Sequence, residues 1–303
     1  MENINYVINP YITIRKSGLK KYLIKQGIIS SKSFVLEADD LSETDIHFLD
    51  KVATGQSINL SQSACSNDLK DFLIEESILI EEYLSNTEKY YNLINSGKDN
   101  FSLENKKIGI LSSSSSIATQ VKDNFKDTSI SISILSIETI ESIESFEKVL
   151  KGLDFVISVW GHYDSITFHK INSVLLEKNI PFMINFIDGN TTFISPVFIN
   201  QETVCYNEME IQLESALFYK DSYLAYKNAK KIDQLNFPNF LLGQALFFST
   251  HLTLDFLISG RLKTKNRAFI FDLESLRYDI VDIIPEPYCL GCRSENKKVH
   301  DFL

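Results

Sequence analysis

Three short, nearly unbroken apolar runs constrain this chain most. They are Ile108-Gly109-Ile110-Leu111, Phe155-Val156-Ile157-Ser158-Val159-Trp160 and Phe182-Met183-Ile184-Asn185-Phe186, and none alternates as a half-exposed strand would. Such runs suit strands buried on both faces. Between and around them, residues 117–125, 142–150 and 169–178 read as helices, and 129–137 alternates Ser with Ile as a further strand. That β-α-β rhythm with short connections predicts an α/β fold with a parallel sheet covered by helices. Beyond it, 192–198 reads as extended and 213–231 as amphipathic, and 240–258 is an apolar helix ending at Gly260. A closing hairpin spans 267–272 and 277–284.

Upstream, residues 83–105 are rich in Ser, Asn and Lys and predict a linker with room for a short helix. They separate a region 1–82 from a region 106–303. In the first region, 11–14, 22–24 and 33–37 carry strand signals. Ser42 can cap a helix with Asp45 at its third position, and Ile46, Leu49, Val52 and Ala53 share its inner face up to Gly55. Residues 58–64 read as a turn or short helix, Asn67 as the cap of another helix with Leu69, Phe72 and Leu73 inward, and 78–80 as a strand. Strands followed by three helices, the middle one short, form a winged helix-turn-helix pattern.

That pattern serves DNA binding in many proteins, but charge argues against it here. Lys and Arg total 30 against 40 Asp and Glu, a net charge of -10. The recognition-helix segment carries Asp68, Asp71, Glu75 and Glu76 against Lys70 alone. A negative surface repels phosphate, so nucleic acid is not an expected partner. The small sheet offers something else. A disordered peptide can add as a strand along Phe34, Val35, Leu36 and Glu37, with Leu69, Phe72 and Leu73 as groove wall. The competing assignment for these apolar residues is plain core. No run of about 18 apolar residues is seen, so no membrane partner is expected. The start lacks an apolar stretch of signal type, and four cysteines with one C-x-x-C pair suit a reducing compartment, the cytoplasm.

The turn after the first buried strand is where an open α/β sheet would meet a nucleotide phosphate. Here it reads Ser112-Ser113-Ser114-Ser115-Ser116, without glycine, and the next strand has an acidic residue only past its tip, Glu138. ATP and dinucleotides are therefore not expected as cofactors. The second chemical signal is Cys289-Leu290-Gly291-Cys292, a knuckle that offers two thiolates to one zinc ion. Cys205 offers a third, and Glu208 stands where a second knuckle would place its other cysteine; His300 is a further candidate. The alternative is a vestigial site of buried thiols. His162 follows a buried strand, but it forms no nucleophile or acid–base constellation with its neighbours; His251 and Cys65 read as core residues.

Two stretches carry a family resemblance. Asp154-Phe155-Val156 through residues 194–206, containing Thr203-Val204-Cys205, resembles the ubiquitin-activating/ThiF superfamily pattern of a strand with a leading Asp and then a G-P-x-x-x-P-G-x-T-x-C-x-x-C segment. Phe271-Asp272-Leu273-Glu274-Ser275-Leu276 through Pro287-Tyr288-Cys289-Leu290-Gly291-Cys292 is similar to the C-terminus of ThiF-like proteins of azole-forming peptide biosynthesis, the McbB-like and SagC-like subunits. The resemblance implies an N-terminal winged-helix RiPP recognition element and a degenerate, Rossmann-type ThiF-like domain. It implies a protein that binds the leader of a ribosomal precursor peptide and delivers the core to a YcaO-type cyclodehydratase, which uses ATP to form azolines. Homodimerisation is implied as well. Ser195, Asn200, Gln201 and Glu208 depart from the motif, replacing Gly, Pro, Gly and Cys. With the glycine-rich loop absent and no D-x-x-x-x-x-N-L-x-R segment, the chain reads as a scaffold subunit without catalytic residues. The alternative is a ThiF-type enzyme that adenylates a peptide carboxylate.

Overall fold

Alternation of apolar and polar residues organises the N-terminal part of the computed structural model, which describes residues 4–17, 21–27, 29, 32–95, 103–136, 149–227 and 239–292. Two units are present, Met1–Leu103 with Asp127–Ser129, and Glu104–Lys126 with Ile130–Leu303. In the first, β1 (Asn5–Ile8) begins a sheet completed later in the chain. β2 (Ile12–Lys16), β3 (Lys21–Gln26) and β4 (Ser33–Glu37) form an antiparallel meander with Ile14, Ile24 and Phe34 in one row. The strand period of two sends Ile12, Ile14, Tyr22 and Ile24 into the core and leaves Thr13, Arg15, Lys21 and Leu23 outside.

Helix α1 (Glu43–Ala53) starts with a reciprocal cap. The Ser42 hydroxyl accepts from the Asp45 N–H at 3.1 Å, and the Asp45 carboxylate accepts from the Ser42 N–H at 3.2 Å. The segment 58–64 contains the expected turn, at 60–62, but not a helix. Its start is β5 (Ile58–Asn59), paired with β1, so sheet bonds rather than helical ones satisfy its backbone. Helix α2 (Asn67–Glu75) is capped one residue earlier than expected, by Ser66, whose hydroxyl accepts from the Leu69 N–H at 3.4 Å. β6 (Leu79–Glu81) closes the β5-β1-β6 sheet.

The polar stretch read as a linker contributes helix α3 (Asn86–Asn95) to this unit. Leu93 joins Leu49 and Leu73 in one core, and buried Glu88 accepts from the Ser85 and Leu103 N–H groups, both at 2.9 Å. Side chains that look solvated in composition are thus spent on local backbone bonds, and the unit runs on to Leu103.

The second unit is built on β7 (Lys107–Ser112), α4 (Ser115–Asp123), β8 (Ser131–Ile134), β9 (Phe155–Trp160), α5 (Ser165–Glu177), β10 (Phe182–Asp188) and β11 (Thr191–Ile194). Helices α6 (Tyr206–Ala216), α7 (Lys220–Lys227) and α8 (Asn239–Ser259) follow, then the hairpin of β12 (Arg267–Asp272) and β13 (Arg277–Asp282). The sheet order is β13-β12-β11-β10-β9-β7-β8. Parallel pairing holds from β8 to β10, as the apolar runs predict, but β11, β12 and β13 pair antiparallel, so the sheet is mixed. Most of the expected helix at 142–150 lies outside the described residues.

Helix α8 packs on β9, β10 and β11 and stops at Gly260, whose φ of 62° suits a residue without Cβ. It corrects one expectation. Phe240–Ser259 is long and apolar enough to cross a membrane by length and composition, with mean hydropathy 1.4, although Ser249, Thr253 and Asp255 interrupt the run. Those three are buried in the fold: Ser249 accepts from Asn185 at 2.5 Å, and Asp255 pairs with Lys263 at 2.7 Å.

Candidate functional site

The cysteines converge. Cys205 immediately precedes α6, and Cys289 and Cys292 lie in the turn after β13. With Glu208 they present four donor atoms within 4.8 Å of one another, all from buried or nearly buried groups. The Cys205 and Cys289 sulfurs stand 3.6 Å apart, and the Cys292 sulfur lies 3.3 Å from Glu208 Oε2. These are not disulfide distances, and all four cysteines of the chain are free. A tetrahedral ion with metal–sulfur bonds of about 2.3 Å holds its donors about 3.7 Å apart, so the cluster fits a divalent metal such as zinc.

Local structure fixes each donor. Glu208, at the third position of α6, accepts from the Cys205 N–H and from the Glu286 N–H, both at 2.7 Å. One carboxylate thereby ties the helix start to the C-terminal turn. Gly291 between the two knuckle cysteines faces the Asn207 side chain, which any Cβ there would strike. The hydrogen bond from Cys292 draws the Cys205 thiol down to about 7, against its burial, while the same bond pushes Cys292 up and burial pushes Cys289 up. A thiolate is the ligand form, and Cys205 is the thiol of the three whose pKa is lowered. His300 lies outside the described residues, and Cys65 belongs to the other unit's core.

Beside the cysteines sits a cluster that sequence reasoning missed. Buried Glu210 of α6 accepts from Tyr163 at 2.5 Å, Ser165 at 2.5 Å, Tyr206 at 3.0 Å and Lys227 of α7 at 2.9 Å, and meets His169 Nε2 at 2.6 Å. Burial alone would raise the Glu210 carboxyl. The bonds from His169, Ser165, Tyr163 and Lys227 outweigh it and hold the group well below the usual carboxylate range. Glu210 in turn pushes His169 up, and burial pushes Tyr163 up. The cluster joins α5, α6 and α7 beyond the end of β9. Its members are scattered over 163–227 with no short motif, and only the Tyr206–Glu210 helical spacing hinted at it.

The serine loop is occupied by its own bonds. β7 leads to β8 on one side and, later, β9 lies on the other, so the order reverses between β7 and β9. In that crevice the Ser113 hydroxyl accepts from the Gly161 N–H at 3.0 Å. Ser114 caps α4, accepting from Ile117 at 3.3 Å, and Ser112 accepts from the Ser114 N–H at 3.4 Å. The backbone N–H groups of Ser114, Ile117 and Gly161 are thereby bonded to serine side chains of the loop itself. Glu138 lies outside the described residues.

In the N-terminal unit the four strand residues and three helix residues separate into three sets. Among the described strands β4 pairs with β3 alone, so its other edge is open. Phe34 and Leu36 are half-buried on the side facing α2, and Phe34 meets Phe72 edge-on at 5.4 Å. Val35 and Glu37 point to the outer face, where Glu37 pairs with Lys21 at 2.8 Å. Leu69 and Leu73, read as groove wall, are 5% and 0% exposed and lie beneath the surface as core. The accessible apolar floor is Phe34, Leu36 and Phe72.

No protein-family model matches the chain, and no curated protein does. Solved structures do. A heterocyclase in complex with substrate and cofactor shares 14% identity at a TM-score of 0.72, over 95% of this chain and 39% of that one. The heterocyclase TruD shares 14% at 0.65, over 95% and 43%. E. coli MccB shares 15% at 0.59, over 95% and 100%, and matches again as the microcin C7 biosynthetic enzyme in complex with N-formylated MccA. This chain thus spans about two fifths of the heterocyclases' length. At such identities the likeness shows a shared fold: this chain has the mixed α/β architecture found in these heterocyclases and in MccB.

Proposed function

We propose that this protein recognises the leader of a ribosomal precursor peptide along the open edge of β4 and presents the core to a separate YcaO-type cyclodehydratase, whose ATP-dependent chemistry forms azolines. The carrying observation is that edge, which has no strand partner among the described residues, and the half-buried Phe34, Leu36 and Phe72 beside it. The fold shared with a substrate-bound heterocyclase and with MccB bound to MccA supports a peptide as the occupant. On this reading the first unit is a winged-helix recognition element, and the second is a ThiF-like scaffold without catalytic residues of its own. Cys205, Cys289 and Cys292, with Glu208, hold a structural zinc ion that would fasten the C-terminal turn to α6. A second copy of the chain covers the outer face of α8, where Phe240 and Phe247 are 73% and 61% exposed on an otherwise apolar helix.

The test is titration of a fluorescent leader peptide against the full chain and against Phe34→Asp. Loss of binding in a variant with unchanged circular dichroism supports the reading; equal affinity removes the edge from it.

An adenylating enzyme is the second reading, favoured by the full-length match to MccB, a biosynthetic enzyme. The bond between Ser113 and Gly161 weighs against it. Calorimetry with Mg-ATP separates the two: micromolar binding lost on Ser113→Trp selects the enzyme.

A further inference from the structure

The charge around the β4 edge defines the peptide that fits it, granted the strand-addition reading above. Lys32 is paired with Glu76 at 3.4 Å, and Phe34 meets Phe72, so β4 and α2 run past each other in opposite directions, with Leu36 toward the start of α2. An added strand would lie along β4, with alternate side chains directed at α2.

Helical spacing decides what those side chains meet. Asp68, Phe72 and Glu75 stand at i, i+4 and i+7, one stripe along the helix, and Leu69 and Leu73 flank it on the core side. Asp68 and Glu75 are exposed, and neither is in an ion pair among the described residues. Lys70, the only cation of α2, falls on the opposite side of the helix from Phe72. That stripe is therefore an aromatic ring with a carboxylate on either side; the nearby cation, Lys32, lies 5.8 Å over the Phe34 ring and is balanced by Glu76 at 3.4 Å.

Along the axis, Asp68 and Phe72 are about 6 Å apart and Phe72 and Glu75 about 4.5 Å, at 1.5 Å per residue. Side chains on one face of a strand recur about every 6.7 Å. Three consecutive inward positions match this stripe, the length of a lysine or arginine side chain absorbing the remaining 3 Å or so. We infer that the strand taken by this edge carries Lys or Arg at i and i+4, flanking an apolar residue at i+2. The apolar residue rests on Phe34 and Phe72, and the two cations meet Asp68 and Glu75. An acidic strand is repelled at both ends.

The experiment pans a random dodecamer library displayed on mRNA against the full-length protein and against Asp68→Lys/Glu75→Lys, two exposed positions outside the core. Enriched peptides are then resynthesised for anisotropy titration. The expected result is a consensus with cations two residues either side of an apolar residue. Replacing both cations by Glu should weaken binding about fivefold or more, as two exposed ion pairs become repulsions, and the preference should shrink at 1 M salt. The double variant should select acidic flanks instead. A consensus with neutral or acidic flanks, or one unchanged in the double variant, overturns the charge inference alone. If enriched peptides leave the amide resonances of β4 unmoved, or no peptide is enriched over a blank surface, strand addition itself fails and the inference with it.

Discussion

The β4 edge and the β7/β9 crevice are both places where a sheet of this protein could take a ligand, and they treat their polar groups in opposite ways. Along β4 the outer backbone has no strand partner among the described residues, and half-buried Phe34, Leu36 and Phe72 lie beside it. In the crevice, the Gly161 and Ser114 N–H groups are bonded to Ser113 and Ser112. A chain arriving at β4 gains hydrogen bonds without breaking any inside the protein. A phosphate arriving at the crevice must first displace bonds each worth about 0.5–1.5 kcal/mol net.

The largest expected effect tests the scaffold role proposed above for the second unit. Protein purified without added metal should carry close to one zinc per chain. Stripping it, or replacing Cys292 by Ser, should cost on the order of 4 kcal/mol, about what a ligand at a thousand times its dissociation constant supplies, and lower the melting transition by roughly 10 °C. Metal analysis and calorimetry check this. A metal-free protein with an unchanged transition leaves the thiols as mere core and takes the scaffold role from this cluster.

Next in size is the edge. Phe34→Asp should weaken leader binding by about 30-fold, the roughly 2 kcal/mol typical of a central aromatic contact. Val35→Thr on the outer face of the same strand should change it less than twofold. Equal losses from both would mean that sidedness, and with it the groove against α2, plays no part.

Legibility in the sequence follows the range of the interaction concerned. The strands β7, β9 and β10 were readable because burial on both faces writes itself as an unbroken apolar run. The cysteine cluster was readable because C-x-x-C spacing and the Cys205/Glu208 pair are local marks of ligand geometry. The inward side of α2 was readable as apolar, but which of Leu69, Phe72 and Leu73 reaches the surface depends on the strand packed against it. A short helix within 83–105 was readable, but that α3 belongs to the first unit was not, because its buried Glu88 is polar and bonds backbone groups as far off as Leu103. Glu210 was unreadable: its partners come from three helices, and no spacing rule links Tyr163 to Lys227.

The crevice yields a smaller effect. Ser113→Gly removes the acceptor of the Gly161 N–H and should cost about 1 kcal/mol in urea unfolding, with at most weak Mg-ATP binding gained by calorimetry. Tight binding by the unmodified protein would abolish the contrast drawn above, because the serines would then be ligand donors.

The smallest expected effect is a titration. His169 Nε2 faces the Glu210 carboxylate at 2.6 Å and Nδ1 faces Asn207 Oδ1 at 2.7 Å, an arrangement of two acceptors that the imidazolium satisfies with both its N–H groups. Its pKa is raised by Glu210 above the ordinary 6.5. A raised folded-state value means that protonation favours the native state. That contribution is complete below pH 6.5 and fades as pH rises through the folded-state pKa. The stability lost in His169→Gln, measured by urea unfolding, should therefore be larger at pH 5.5 than at pH 9. The His169 ring resonance should titrate above 6.5 in the unmodified protein and fall back in Glu210→Gln. Titration at or below 6.5 would show that Glu210 is held by Lys227 and its hydroxyl donors alone, and that this cluster, like the serine loop, spends its polar groups on structure without a charge on the histidine.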